Sequence, residues 1–144
     1  MREILFRGKL TANGEWAYGN LDIKPGGKIA VITPDDTPIG KYGQVDPATV
    51  GQYTGLSDRD GVKIFEGDIC DFCVFDCVGN DTQYRAMISY EDGRFILRQA
   101  SKEGNKENFG SLDLSWVHEQ DDEFRVIGNI HDNPELLKEV AEDG

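Results

Sequence analysis

Apolar residues recur along this chain in short extended stretches separated by turn signals, and helical spacing is scarce. Ile4, Phe6 and Leu10 share one face of an opening strand. Asn13-Gly14 supplies a two-residue turn, and Trp16 and Tyr18 alternate on the returning strand before Leu21 and Ile23. Pro25-Gly26-Gly27 turns the chain into Lys28–Ile32. The opening is therefore read as a three-stranded meander. Thr33 to Gly43 holds Pro34, Pro38, Gly40 and Gly43 and reads as a long loop. Asp46-Pro47 starts one helical turn, with Asp46 capping and Pro47 at the first position.

Further strands are predicted over Gly51–Leu56, Val62–Phe75 broken at Gly67-Asp68, Tyr84–Tyr90, Phe95–Leu97, the alternating Leu112, Leu114 and Trp116, and Phe124–Ile130. Asp92-Gly93 is a second hairpin signal. Asn133-Pro134-Glu135 opens a short helix whose Leu136, Leu137 and Val140 form one sticky stripe. Many short strands at regular spacing imply a barrel or a sandwich. One domain over 1–144 is expected, divided into a meander and loop (1–43), a barrel (44–132) and a helix (133–141).

Charge narrows the partners. The 144 residues carry 15 Lys and Arg against 27 Asp and Glu, a net charge of −12. That balance disfavours nucleic acid and anionic membranes, since affinity for phosphates comes from Lys and Arg. Arg85, Arg94 and Arg98 are the nearest thing to a basic patch. No apolar run approaches the roughly 20 residues that span a bilayer. The charged N-terminus does not read as a signal peptide, and three clustered cysteines are no secreted disulfide framework. A cytoplasmic location is expected.

Candidate chemistry is sparse. Cys70-x2-Cys73-x3-Cys77 has metal-ligand spacing, but a structural zinc site wants four ligands and only His118 and His131 could complete it. Cys70 and Cys73 would also point to opposite faces of a strand. Asp58-Arg59-Asp60-Gly61 hints at a calcium loop, yet setting Gly61 at the sixth position places Leu56 where the first ligand belongs. The Gly-Lys pairs lack phosphate-loop spacing, and His118-Glu119 lacks a second histidine at zincin spacing. No catalytic residue, metal site or cofactor is assigned. Asp68 after Gly67 is expected to fix a tight turn through backbone amides, and Gly128-Asn129 to mark a bulge or a bend near the end of a strand.

Phe6-Arg7-Gly8-Lys9 with Gly14-Glu15-Trp16-Ala17-Tyr18-Gly19 resembles the opening of the YopX family of phage and prophage proteins. Val50-Gly51-Gln52-Tyr53-Thr54-Gly55-Leu56 with Ile64-Phe65-Glu66-Gly67-Asp68-Ile69 resembles its central signature, and Val126 to Leu137 its closing one. Cys70 to Asn108 matches poorly. The resemblance implies a mainly β, SH3-like barrel and a phage context in a bacterial host, with no established activity. SH3-like barrels often present aromatics to peptides, so Trp16, Tyr18, Gln52, Tyr53 and Asp68 are the candidate binding residues. Leu136, Leu137 and Val140 are the candidate docking or oligomer contacts. The favoured function is a non-enzymatic interaction or assembly module for a protein partner from host, phage or another copy. The alternatives are an acidic decoy for a host DNA-binding protein and a metal-dependent hydrolase.

Overall fold

The computed structural model describes residues 3–33, 43–75, 81–99, 111–121 and 123–137, and these form two compact units, Met1–Gly55 and Leu56–Gly144. The division falls at Gly55, twelve residues beyond the boundary drawn from the sequence, because the chain after Gly43 pairs back onto the opening strands. Elements are mainly strands in two antiparallel sheets.

In the first unit, β1 (Phe6–Lys9), β2 (Trp16–Ile23), β3 (Ala30–Thr33), β4 (Gly43–Val45) and β5 (Gly51–Ser57) are ordered β4-β3-β2-β1-β5. The expected meander is present. Its first turn is longer than read, because Leu10 N donates to Glu15 O and leaves four residues in the loop. The sheet curls until β4 meets the end of β1. Leu10 bridges Val45, Asp46 N donates to Lys9 O, and Thr11 N donates to Gln44 O. A small core of Ala30, Ile32 and Val45 lies inside the curl, with Phe6, Leu10, Ala17 and Leu21 against it. Gly8 stands where a Cβ would press on Val45 at 3.0 Å. Asp46 caps the 3-10 turn Pro47–Thr49 through Ala48 N, as the Asp-Pro pair predicts.

In the second unit, β6 (Lys63–Phe65) follows a turn closed by Asp58 N to Val62 O. β7 (Asp68–Phe75), β8 (Asp81–Glu91), β9 (Arg94–Gln99), β10 (Ser111–Asp113) and β11 (Arg125–Asn129) form a sheet ordered β10-β9-β8-β7-β11. Asp92 (φ 54°) and Gly93 (φ 80°) make the predicted two-residue hairpin turn between β8 and β9.

The strand predicted through Leu114 and Trp116 is instead α1 (Leu114–Gln120). Asp113 caps it by accepting from Ser115 N, and Leu114 and Val117, three apart, bury the inward stripe. Trp116 stays exposed. The core of this unit joins Ile64, Cys70, Phe72, Ala86, Ile88, Leu97 and Phe124 to that stripe.

The predicted irregularity near Gly128 is a register shift between Val126 and Gly128. Beyond it, Asn129 Oδ1 accepts from the N–H groups of His131 and Asp132. Asn133 does not cap with its side chain as expected; its Oδ1 turns back to Asn129 N. The chain then enters a helical turn at Glu135–Leu137. Among the described residues no helix is long and apolar enough to cross a membrane.

Candidate functional site

Antiparallel register decides which candidate side chains meet. β1 pairs with β2 so that Arg7 opposes Tyr18 and Lys9 opposes Trp16. Opposed residues share a face, so Arg7, Lys9, Trp16 and Tyr18 line one strip on the side away from the small core. The Arg7 guanidinium lies 4.5 Å from the Trp16 ring centroid and the Lys9 ammonium 5.4 Å from it. Such cation–π contacts contribute about 0.5–1 kcal/mol when exposed and about 2 when desolvated. Trp16 is half-buried, Arg7 is buried, and Tyr18 is 45% exposed at the end of the strip.

The other candidates add no exposed side chain to this strip. Gln52 pairs with Phe6 and so occupies the opposite, core-facing side. Tyr53, whose N–H donates to Leu5 O, lies on the same face as the strip but is buried and adds no exposed surface to it. Asp68 belongs to the second unit and is 2% exposed. Its carboxylate accepts from Phe65 N at 2.7 Å across the turn at Gly67, where φ is +92°. That is the turn-fixing role its position after a glycine suggested.

A cavity of about 420 Å³ adjoins the strip at Lys9. Leu10, Val45 and Pro47 give it an apolar side, and Thr11, Gln44 and Thr49 a polar one. Thr49 is tied down, accepting from Lys9 N and donating to Asp46 O. Sequence reading missed this cavity because it forms only where β4 curls onto the end of β1.

The second unit has a polar pocket of about 280 Å³ bounded by Arg59, Asp71, Phe72, Cys73, Gln83, Glu123, Arg125 and Ile127. Its acids are each held by arginine: Asp71 by Arg85 at 2.9 Å and Glu123 by Arg59 at 2.9 Å. Arg85 also donates to Leu136 O, fastening the start of the C-terminal helical turn beside Asp71. Leu136 and Leu137 are half-buried, and Val140 lies outside the described residues.

Cys70 sits in the core, Cys73 lines the pocket on the other face, and Cys77 lies outside the described residues. Among the described residues no three His, Cys, Asp or Glu side chains are grouped to hold a metal. His118 Nε2 is 2.7 Å from Ser57 O and serves the fold.

Charge divides sharply between the units. Residues 1–55 contain six Lys and Arg and six Asp and Glu, whereas residues 56–144 contain nine and twenty-one. The first unit is neutral, and the whole net charge of −12 resides in the second.

A mainly β chain with a surface aromatic–cation strip and arginine-tied acids belongs, by its architecture, among small β domains. A family model described as YopX protein matches residues 6–138. The chain belongs to the YopX family. It is also similar to the crystal structure of protein EF1440 from Enterococcus faecalis, at 28% identity and a TM-score of 0.58. That match covers 95% of this chain and 99% of the other. No curated protein matches it.

Proposed function

We propose that this chain is a non-enzymatic interaction module of phage or prophage origin, acting in the cytoplasm of a bacterial host, and that its docking face is the Lys9–Trp16–Tyr18 strip, with buried Arg7 supporting the Trp16 ring from beneath the surface. One observation carries the reading: the strip lies on the neutral unit, turned away from that unit's core, with Tyr18 45% exposed. A flat aromatic flanked by cations gives large contact area at low entropic cost and is enriched at energetically central interface positions. The return of β4 onto β1 at Leu10–Val45 supports the SH3-like reading of this unit, and such folds bind peptides on aromatic faces.

The alternatives fit less well. A decoy needs its acids displayed to solvent, yet Asp58, Asp68 and Asp121 are buried and accept backbone N–H groups. A metal-dependent hydrolase needs carboxylates open to a cation, whereas Asp71 and Glu123 are each paired with arginine.

Capture from a bacterial lysate, read by mass spectrometry, tests the proposal when wild type is run beside Lys9→Ser with Tyr18→Ser. Recovery of the partner should fall at least about tenfold in the double variant, the equivalent of about 1.4 kcal/mol. Equal recovery by both proteins refutes the docking face.

A further inference from the structure

The second sheet buries apolar residues on both of its faces. Cys70, Ala86, Ile88 and Leu97 turn to the core. Ile69, Met87 and Ile96, each next to one of these in its strand, turn to the back face. Ile69 opposes Met87, and Ile96 lies diagonally across from Met87 on β9, so the three form one row. Ile69 and Ile96 are 0% and 2% exposed, yet neither belongs to the core cluster.

The closing segment crosses this back face. Asn133 lies against it at β11, where its Oδ1 is 2.6 Å from where a Cβ on Gly128 would stand, and Gly128 opposes Ile69. Leu136 reaches it at β8, where Arg85 Nη1 donates to Leu136 O at 3.2 Å. β7, which carries Ile69, runs between those two strands. The segment forms one helical turn, with Leu136 N donating to Asn133 O and Leu137 N to Pro134 O. A turn that short does not sustain itself in water, so the face beneath holds it. That face is set in advance: Arg85 Nε donates to Asp71 Oδ1 at 2.9 Å, which aims the guanidinium before any carbonyl arrives.

We infer that this back face is a seat for a short helical turn of a partner protein carrying two adjacent leucines, and that the chain's own closing segment is the occupant such a partner displaces. The partner's chemistry follows from the segment now seated there: leucines for the Ile69–Met87–Ile96 row, and a main-chain carbonyl for Arg85. Leu136 and Leu137 are only half-buried, which puts the segment among the elements that open first. The inference goes beyond the Trp16-strip reading and uses none of its residues.

Met1 and Met87 are the chain's two methionines, so isotope-labelled methionine methyl groups give the back face its own NMR signal. Full-length Leu136→Ala with Leu137→Ala, folded by circular dichroism, should move the Met87 signal as its cover loosens. A synthetic peptide of residues 131–141, added to about 1 mM, should return the signal toward its wild-type position; the same peptide with both leucines replaced by alanine should not. In wild type the tethered segment competes, and at least about tenfold more peptide should be needed. Arg85→Ala added to the leucine variant should abolish the response. Amides of Leu136 and Leu137 in wild type should exchange with solvent before those of β8. An unresponsive leucine variant overturns the inference, and so does an equal response to the alanine peptide or an equal response by wild type. If the leucine variant does not fold, the exchange experiment decides: Leu136 and Leu137 amides that open only with the whole sheet overturn it. Sedimentation of wild type above its monomer mass of 16.1 kDa, abolished in the leucine variant, would give the seat to a second copy and overturn the partner assignment.

Discussion

Asp58→Ala should destabilise the second unit far beyond an ordinary turn substitution. Asp58 is 8% exposed, and its carboxylate accepts three backbone N–H groups. Oδ1 takes Asp60 N and Val62 N, both at 2.9 Å, and Oδ2 takes Val126 N at 3.0 Å. The first two fix the turn before β6; the third ties that turn to β11, 68 residues away. Hydrogen bonds to a charged group contribute about 1.5–3 kcal/mol each. Asp60 and Val62 are exposed, so water replaces most of what their amides lose, whereas Val126 is half-buried and its amide keeps a desolvation cost. The expected loss is about 2–4 kcal/mol, a large share of the 5–15 typical of a domain, with a fall in melting temperature of about 5–15 °C. Asp58→Asn keeps one acceptor oxygen and should lose about half as much. Urea and thermal unfolding followed by circular dichroism measure both. Because the carboxylate is already occupied by amides, millimolar calcium should leave the melting temperature unchanged. An alanine variant within about 0.5 kcal/mol of wild type, or a calcium-induced rise of several degrees, would refute the reasoning.

Gly128→Ala should cost about 1–2 kcal/mol in the same assay, since a Cβ there would stand 2.6 Å from Asn133 Oδ1, and hydrogen exchange at His131 and Asp132 should accelerate as the Asn129 network loosens. Leu136→Ala with Leu137→Ala should lower the melting temperature by a few degrees, because both side chains are half-buried and burial contributes about 25 cal/mol per Å²; an unchanged melt would show that the closing segment is held by Arg85 and the backbone alone.

Where local chemistry determined local structure, the sequence was readable. Asp92-Gly93 needed two positive φ angles and has them, and Asp46-Pro47 marked a capped turn. Leu112, Leu114 and Trp116 misled because period two and period three overlap there. Leu112 and Leu114 alternate, but the stripe that is buried is Leu114 and Val117, and the cap at Asp113 was the signal to stop the strand. Site residues were harder, since alternation tells which residues of one strand share a face but not which strands are neighbours. Trp16 and Tyr18 share one face of β2, as their alternation implies. Gln52 was grouped with them by motif, yet pairing Phe6 with Gln52 sends it to the other side. The 420 Å³ cavity depends on contact between residues about 35 positions apart and left no local mark.

The acidity that dominates the composition is in part a folding device. A sheet whose strands end in irregular turns leaves N–H groups that no neighbouring strand can take, and a carboxylate can accept several at once. Asp58 takes three, Asp121 accepts from Cys73 N at 2.8 Å and Glu123 N at 2.9 Å, Asp68 takes Phe65 N, and Asp113 caps α1. All four belong to the second unit, which holds the whole net charge. Others there are spent on ion pairs, Asp71 with Arg85, Glu123 with Arg59 and Glu91 with Arg98. A net charge of −12 therefore overstates the acid available to a partner. The neutral unit also exposes apolar surface close to cations, at Tyr18 on the strand face that carries Lys9 and at the Ile23–Ile29 tip that holds Lys24 and Lys28. The docking face we propose, the Trp16 strip, therefore lies on the unit whose composition, read alone, gave the weaker signal.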